Sequence, residues 1–189
     1  MKAAGPPREA PRQIRLIGGQ WKRSKLPVAD RPGLRPTPDR VRETLFNWLG
    51  QDLTGWRVLD AFAGSGALGF EAASRGAAEV LLLERDAALA RSLHAVKARL
   101  QATAVQVRSL DAVAWMGREA PARFELVLLD PPFEADLSAA AVAAALPLLV
   151  SGGWLYLEAA QPLAPLPVGL RLHRHLKAGA VHAQLLQVD

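Results

Sequence analysis

Cysteine is absent from this chain of 189 residues. The absence excludes a disulfide scaffold, cysteine-ligated zinc or iron–sulfur centres and thiol catalysis, and it is typical of a reducing compartment. A signal peptide is not predicted either, because residues 1–11 carry charge without an apolar core. The longest nearly apolar stretch, Leu137 to Val150, is shorter than the roughly 20 residues of a membrane span and contains Pro147. We therefore expect a cytoplasmic protein.

Acidic side chains are scarce near the N-terminus, and this makes the charge of the chain uneven. Residues 1–42 hold eleven Lys and Arg against three acidic residues, a net charge of +8, whereas the other 147 residues carry −3. A basic arm on a mildly acidic body is typical of a protein that contacts a polyanion, most often nucleic acid. A solvated basic tail without a partner is the alternative.

The composition otherwise predicts one globular domain with modest appendages. Hydrophobic residues make up 50% of the chain and charged residues 22%, as in ordinary folded domains. The length also suits one domain, since about 100–200 residues per domain is usual. We expect a disordered basic tail over residues 1–11, an N-terminal hairpin and helix over residues 12–49, and the main domain over residues 50–189.

The N-terminal extension shows a hairpin pattern and then a helix pattern. Two short apolar segments, residues 14–17 and 25–28, flank a Gly-Gly pair, which predicts a β-hairpin. Further on, Thr37 offers an N-cap with Pro38 at the first helical position. The helix that follows is predicted to run to about Leu49.

From residue 57 onward, short apolar strands alternate with helices. Continuous apolar strands separated by helices indicate a parallel sheet that is covered on both faces. The predicted strands span residues 58–60, 80–83, 105–108, 126–129 and 154–157, with a closing hairpin over 170–176 and 181–188. One predicted helix ends near residue 75, and the others span about 86–100, 111–116 and 135–150.

The first of these strands leads into a glycine turn with the features of a cofactor site. Asp60 begins the turn, which fits the dinucleotide pattern G-x-G-x-x-G through Gly64, Gly66 and Gly69. Glu84 ends the next strand, where a carboxylate can accept hydrogen bonds from both ribose hydroxyls. This spacing fits a nicotinamide cofactor as well as S-adenosylmethionine. Asp60 favours the latter, because a carboxylate attracts a cationic amino group and repels a pyrophosphate.

Two of these acidic positions also have a purely structural interpretation. Asp111 and Ala112 follow the third strand, where a side chain and a backbone N–H can hold the edge of an adenine. Asp111 fits a plain N-cap of the next helix equally well. Glu84, in turn, fits a surface acid that caps the second helix.

The sequence Asp130-Pro131-Pro132-Phe133 is the most specific motif. It follows the fourth strand, at the edge where open α/β sheets bind ligands. Two prolines restrict the backbone and remove two donors, which leaves the Asp130 carboxylate and the Pro131 carbonyl as fixed acceptors. These acceptors can hold both hydrogens of an exocyclic amino group and orient its nitrogen toward a methyl donor, while Phe133 stacks on the base.

Together these motifs resemble those of class I S-adenosylmethionine-dependent amino-methyltransferases. Residues 15–21 and 33–49 closely resemble the RsmD family, which methylates N2 of one guanine in bacterial 16S rRNA. The resemblance implies a Rossmann-like class I methyltransferase fold: a seven-stranded, mostly parallel sheet with helices on both faces, plus a basic N-terminal β-hairpin and helix. It further implies RNA within the small (30S) ribosomal subunit or its assembly intermediate as the partner. We expect a monomer.

The resemblance also implies roles for individual residues. S-adenosylmethionine is expected to contact residues of the glycine turn and the strand ends: Asp60, Phe62, Gly64, Ser65, Gly66, Glu84, Asp111 and Ala112. The target guanine is expected to contact Asp130, Pro131 and Phe133. The RNA is expected to contact residues of the extension: Arg15, Trp21, Lys22, Arg23, Lys25, Arg35, Arg40 and Arg42. Trp21 fits a cover over the hairpin equally well.

Several alternatives stay open at this point. Adenine N6 is the nearest rival target, because the DPPF motif reads an amino group and no particular base. A NAD(P)-linked oxidoreductase fits the glycine pattern but leaves the DPPF motif and the basic arm unexplained. A non-catalytic RNA-binding or ribosome-assembly factor fits the arm. No metal is expected, since His173, His175 and His182 lack a fixed carboxylate that would support a site.

Overall fold

A computed structural model describes the chain over residues 13–29, 37–132 and 137–189. The N-terminal elements are β1 (Gln13–Arg15), β2 (Lys25–Pro27) and α1 (Asp39–Trp48). The elements that follow are β3 (Arg57–Asp60), α2 (Ala67–Ser74), β4 (Glu79–Leu83), α3 (Ala87–Leu100), β5 (Val105–Arg108), α4 (Ala112–Met116), β6 (Phe124–Leu129), α5 (Ser138–Ala145), β7 (Leu149–Ala159), β8 (Leu170–Ala178) and β9 (Val181–Val188). In this part of the chain, no helix is long and apolar enough to cross a membrane.

Seven strands form one sheet in the order β5-β4-β3-β6-β7-β9-β8, which confirms the predicted seven-stranded, mostly parallel architecture. The strands β3 to β7 pair in parallel, and β9 and β8 close the sheet with antiparallel pairs. The central strands are buried on both faces because two apolar clusters cover them. Val58 belongs to one cluster and Leu59 to the other, as the alternation of side chains along a strand requires.

The predicted N-terminal hairpin is present and packs on the sheet face that carries α2. β1 and β2 pair antiparallel, and Ile14, Leu16 and Leu26 lie in the apolar cluster of this face. The turn between them needs a glycine at position 19, where φ is +72° and an added Cβ would lie 1.8 Å from the Ser74 carbonyl oxygen. Trp21 is half-buried and also packs against this cluster. The structure therefore gives Trp21 the covering role over the hairpin.

The tip of the hairpin lies far from the carboxyl ends of the parallel strands. It contacts the last residue of α2, since Gln20 N donates to the Ser74 carbonyl at 2.8 Å. A helix that connects two parallel strands runs back across the sheet, so the end of α2 lies at the edge where strands begin. The exposed Lys22 and Arg23 therefore lie near the amino edge of the sheet.

The prediction of a helix over residues 135–150 is wrong at the C-terminal end. α5 ends at Ala145, a 3-10 turn spans Leu146–Leu148, and β7 begins at Leu149. Pro147 has no backbone N–H to donate and ends the helical pattern. Leu149 then pairs with Phe124 of β6, so the end of the apolar run belongs to the sheet.

The prediction that Arg42 contacts RNA is also wrong. Its side chain is 0% exposed and points into the layer between α1 and α2. The guanidinium donates at 2.6 Å to Asp39, at 2.9 Å to the Arg15 carbonyl and at 3.2 Å to the Thr37 carbonyl, and it lies 3.5 Å from Glu71. Arg42 thus joins the hairpin, α1 and α2. Arg40, two residues earlier, is exposed and stays available for RNA.

The substitution Arg42→Met should lower the free energy of unfolding by about 3–5 kcal/mol, because it removes a fully buried guanidinium that, together with Arg75, neutralises the buried Glu71 carboxylate. Arg40→Met on the same helix is the matched control and should stay within about 0.5 kcal/mol of the wild type. Urea denaturation followed by circular dichroism measures both values. Equal stabilities of the two variants would contradict the structural role of Arg42.

Candidate active site

The carboxyl ends of four neighbouring strands bring the predicted site residues to one edge of the sheet. β3 ends at Asp60, and Glu84 directly follows β4. Asp111 comes shortly after β5, and Asp130 directly follows β6. The strand order places β3 between β4 and β6, so the glycine turn lies at the centre of this edge. Ligands of open α/β sheets bind at such an edge.

The glycine turn is shaped by residues with positive φ. Gly64 has φ +52°, and Gly66 has φ +79° and precedes the first residue of α2. A Cβ on Gly66 would lie 2.6 Å from Phe70 and 2.7 Å from Leu93, so no other residue fits there without displacing the core. Phe62 and Ser65 are half-buried beside these glycines. The turn therefore exposes backbone toward the edge with little side-chain bulk.

Asp60 is a buried carboxylate at the base of the turn, with only 1% of its surface exposed. Its Oδ2 accepts a hydrogen bond of 2.9 Å from Gly69 N, inside the first turn of α2. Burial raises the pKa of Asp60 to about 7, the charge of Glu84 adds to the effect, and the hydrogen bond from Gly69 opposes it. Such a carboxylate gains most from a cation placed against it.

Glu84 connects the glycine turn to the loop after β4. One carboxylate oxygen accepts from Gly64 N at 3.0 Å, and the other accepts from Asp86 N at 2.8 Å. Both oxygens are thus fixed by backbone donors, and each keeps a free lone pair. The alternative that Glu84 caps the helix after β4, which is α3, is wrong. Asp86 caps α3 by accepting from Ala88 N and Leu89 N.

Asp111 is the N-cap of α4 and accepts a hydrogen bond of 2.8 Å from Ala114 N. The capping interpretation of this residue is therefore confirmed, while its other carboxylate oxygen stays exposed beside the site edge. Ala112 is buried behind it. A cleft of about 310 Å³ opens beside Asp111, with Leu110 and Trp115 in its lining.

Asp130 and Pro131 lie next to the glycine turn, as the motif predicts. Pro131 is buried, and Asp130 is half-buried. Burial, together with the charges of Glu158 and Asp60, raises the pKa of Asp130 well above its usual range. Phe133 of the same motif lies outside the described residues, as do Arg35 and the predicted tail over residues 1–11.

A hydrogen-bonded group behind Asp130 was not predicted from the sequence. The Thr37 hydroxyl donates to Glu158 at 2.9 Å and lies 3.5 Å from Asp130 Oδ2, and the Tyr156 hydroxyl also donates to Glu158, at 2.8 Å. Glu158 is 3% exposed, and its pKa is raised by burial and lowered by these two hydrogen bonds. Thr37 therefore does not cap α1, whose N-cap is Pro38. Its hydroxyl links two carboxylates at the site.

The remaining predicted RNA contacts are distributed over the N-terminal extension. Arg15, Lys22, Arg23 and Lys25 are exposed on the hairpin, and Arg40 is exposed at the start of α1. These five side chains are accessible to a polyanion. Lys22 and Arg23 lie away from Asp130, because the hairpin tip contacts the end of α2 at the amino edge of the sheet. Arg40, in contrast, follows Thr37, whose hydroxyl lies 3.5 Å from Asp130 Oδ2, by three residues.

The sheet order, the glycine turn after β3 and the Asp-Pro-Pro segment after β6 define a class I methyltransferase. Comparisons with known proteins agree with this class. A family described as "Conserved hypothetical protein 95" matches residues 14–187. The protein "Ribosomal RNA small subunit methyltransferase D" of Escherichia coli strain K12 is 43% identical over 183 residues, which cover 93% of this chain and 90% of that protein. The chain therefore belongs to the RsmD family.

Further relatives and solved structures agree with this assignment. The Haemophilus influenzae protein named "Ribosomal RNA small subunit methyltransferase D" is 41% identical over 76% of this chain and 74% of its own length. The solved structure of yhhF from Escherichia coli is similar with a TM-score of 0.85 and 39% identity, over 94% of this chain and 98% of that one. TrmN from Thermus thermophilus shares the fold, with a TM-score of 0.69 at 23% identity over 85% of this chain and 51% of that one.

The raised pKa of Asp60 predicts a pH-dependent stability. Asp60 binds its proton more tightly in the folded chain than in the unfolded one, so its contribution to stability is lost as the pH rises from about 4 to about 7. The side chain of Asp60→Asn does not titrate. As the pH rises over this range, the free energy of unfolding of this variant should therefore increase relative to that of the wild type, on the order of 4 kcal/mol.

Urea denaturation at pH 4.5 and pH 8 measures this difference. The control is Asp52→Asn, because hydrogen bonds from Thr54 lower the pKa of Asp52 and reverse the sign of its effect. A wild-type to Asp60→Asn difference that is the same at both pH values would show that Asp60 titrates normally.

Proposed function

We propose that this chain transfers a methyl group from S-adenosylmethionine to the N2 amine of a guanine in 16S rRNA of the small ribosomal subunit. The observation that carries the proposal is the position of the Asp130 carboxylate and the Pro131 carbonyl beside the Asp60 turn, at one edge of the sheet. Relatives named ribosomal RNA small subunit methyltransferase D support the choice of RNA. A small-subunit substrate implies that the protein acts in the cytoplasm, and we propose that it does so as a monomer.

The residues of the glycine turn fit the chemistry of S-adenosylmethionine. The Asp60 carboxylate is buried and has no cationic partner among the described residues, so it suits the ammonium group of the methionine part. The free lone pairs of Glu84 suit the two ribose hydroxyls. Asp111 and the Ala112 backbone suit the edge of the adenine, and Phe62, Gly64, Ser65 and Gly66 shape the turn around the ligand. When bound, S-adenosylmethionine supplies an electrophilic methyl group and leaves as a neutral thioether.

The protein's contribution to the reaction is to position the amine and to take up its proton. An aromatic amine is a weak nucleophile because its lone pair is conjugated with the ring, so orientation supplies much of the rate. Asp130 and the Pro131 carbonyl accept its two hydrogens and direct the nitrogen lone pair at the methyl group, and Phe133 stacks on the base. Proton loss must follow N–C bond formation. Asp130 is suited to accept this proton, since burial and the charge of Glu158 raise its pKa.

The same geometry explains why the oxidoreductase alternative is weaker. A dinucleotide would place its pyrophosphate against the glycine turn, where the Asp60 carboxylate would repel it. Adenine N6 stays the second candidate target, because the two acceptors read an amino group and not the rest of the base. The choice of guanine rests on membership of the RsmD family.

The substitution Asp130→Ala should lower methyl transfer at least about a hundredfold, because the amine loses its orienting acceptor. The assay uses labelled S-adenosylmethionine and small ribosomal subunits that lack the modification, with mass spectrometry of the product nucleoside. We expect N2-methylguanosine with the wild type. N6-methyladenosine would replace the proposed target with adenine, and full activity of Asp130→Ala would remove Asp130 from the reaction. Absence of methyl transfer by the wild type would favour a non-catalytic role.

The substitution Glu84→Ala should weaken S-adenosylmethionine binding by roughly tenfold or more, since two charge-assisted hydrogen bonds to ribose are lost. Isothermal titration calorimetry measures the dissociation constant. Glu79→Ala is the control, because Glu79 lies at the opposite end of the same strand and pairs with Arg123. An unchanged dissociation constant for Glu84→Ala would place the ribose elsewhere.

A further inference from the structure

The hairpin that closes the sheet, β8 and β9, carries positive charge and no negative charge. Between Leu170 and Val188 the sequence contains no Asp or Glu. We define the β8–β9 cationic surface as the charged side chains Arg171, Arg174 and Lys177 together with the neighbouring imidazoles of His175 and His182. Four of them are exposed, and His182 is half-buried.

Directly paired residues of neighbouring strands share a face of the sheet. Arg174, opposite the buried Leu185, therefore lies on the face that carries α2, whereas Lys177, opposite His182, lies on the other face. The charge of one sign thus flanks both faces of the edge strand β8, unlike the mixed charges that an ordinary solvated face carries.

The partners of these side chains are neutral. Arg171 donates to the Gln187 side chain at 2.6 Å, and Arg174 donates to the His173 carbonyl at 2.9 Å. A ring nitrogen of His175 lies 2.9 Å from one of His182. Across the three described ranges, no ion pair involves the β8–β9 cationic surface. Its charge is therefore available to an external anion.

The β8–β9 cationic surface reaches the edge of the sheet that holds Asp130. Along this edge His182 of β9 pairs with Ala159 of β7 on one side and with Lys177 of β8 on the other. Ala159 directly follows Glu158, which contacts the Thr37 hydroxyl behind Asp130. With strands about 4.8 Å apart, Lys177 lies about three strand spacings, roughly 14 Å, from the strand of Asp130. A neighbouring nucleotide of a bound RNA falls within that range.

The N-terminal hairpin cannot supply these contacts from its tip. Lys22 and Arg23 lie near the amino edge of the sheet, beside the end of α2. RNA that presents a base to Asp130 needs cations near that base, and the β8–β9 cationic surface lies at the same edge. Charges on an edge strand such as β8 also prevent pairing between copies. Positive and negative charges prevent such pairing equally well, whereas a strand that carries only positive charges selects a polyanion.

We propose that the β8–β9 cationic surface binds phosphates of the RNA next to the target nucleotide, as a second contact separate from the N-terminal arm. This inference rests on the proposed function, because it takes the base at Asp130 to belong to an RNA. Lys177, at the sheet edge beside His175 and His182, and Arg174, on the opposite face of β8, bind the phosphates as charged donors. Contacts of this type add affinity and carry no sequence information.

The test compares two double variants that each remove two positive charges. Arg174→Gln/Lys177→Gln neutralises the β8–β9 cationic surface, and Arg91→Gln/Lys97→Gln removes the same charge from α3. Binding to small ribosomal subunits that lack the modification is measured by filter binding from 50 to 200 mM salt, alongside methyl-transfer kinetics. All four side chains lie on the surface or partly so, and thermal unfolding checks that both variants fold.

For Arg174→Gln/Lys177→Gln we expect at least about tenfold weaker binding and a salt slope shallower by roughly 1.5, with KM raised and kcat kept. The α3 variant should resemble the wild type. Equal behaviour of the two variants would overturn the inference, whether both weaken or neither does. Those results leave the proposed function standing, because the wild type still methylates the subunits. A wild type that neither binds nor methylates them overturns the proposed function and the inference with it.

Discussion

An ionised carboxylate removed from water needs several hydrogen-bond donors, and Glu71 obtains them from three parts of the chain. Its two oxygens accept from Ile17 N and Gly18 N of the hairpin at 2.8 and 2.7 Å, and from Arg75 after α2 at 3.0 Å. Arg42 of α1 completes the set at 3.5 Å. Glu71 is a residue of α2, which directly follows the glycine turn. One side chain therefore holds the hairpin against the helix of the glycine turn. The N-terminal extension is therefore a structural part of the methyltransferase domain.

The same contacts continue into the site. Arg42 donates to the Thr37 carbonyl, and the Thr37 hydroxyl donates to Glu158 beside Asp130. Asp60, Asp130 and Glu158 gather negative charge at one sheet edge, and burial together with the charge of Glu158 raises the pKa of both Asp60 and Asp130. Ionised carboxylates at such an edge are unfavourable on their own, and a cation or a hydrogen-bond donor placed against them stabilises them. A sulfonium ligand with an ammonium group, and an amine with two hydrogens, both meet that requirement.

Local sequence patterns predicted most of the fold, and long-range contacts account for what they missed. The predicted strand 80–83 matches β4, because its continuous apolar run is buried on both faces of the sheet. The predictions for Thr37 and Arg42 were wrong, because Thr37 suits a local N-cap and Arg42 an exposed RNA contact, whereas their buried partners lie up to 121 residues away. Glu158 was missed although the strand-end rule that selected Glu84 and Asp130 applies to it equally. Residues 149–150 were assigned to a helix because the apolar run continues on both sides of Pro147, the residue at which the helix in fact gives way to the strand.

The dependence of the extension on Glu71 has a consequence for the order of folding during synthesis. Arg42 leaves the ribosome 29 residues before Glu71, and the amides of Ile17 and Gly18 precede it by 54 and 53 residues. Until α2 follows, the basic N-terminal segment has no carboxylate to dock on and stays an unfolded cation at the exit site. The Thr37 hydroxyl waits longer still, because its partner Glu158 lies 121 residues downstream. The hydrogen-bonded group behind Asp130 is thus completed only when nearly the whole chain has been made.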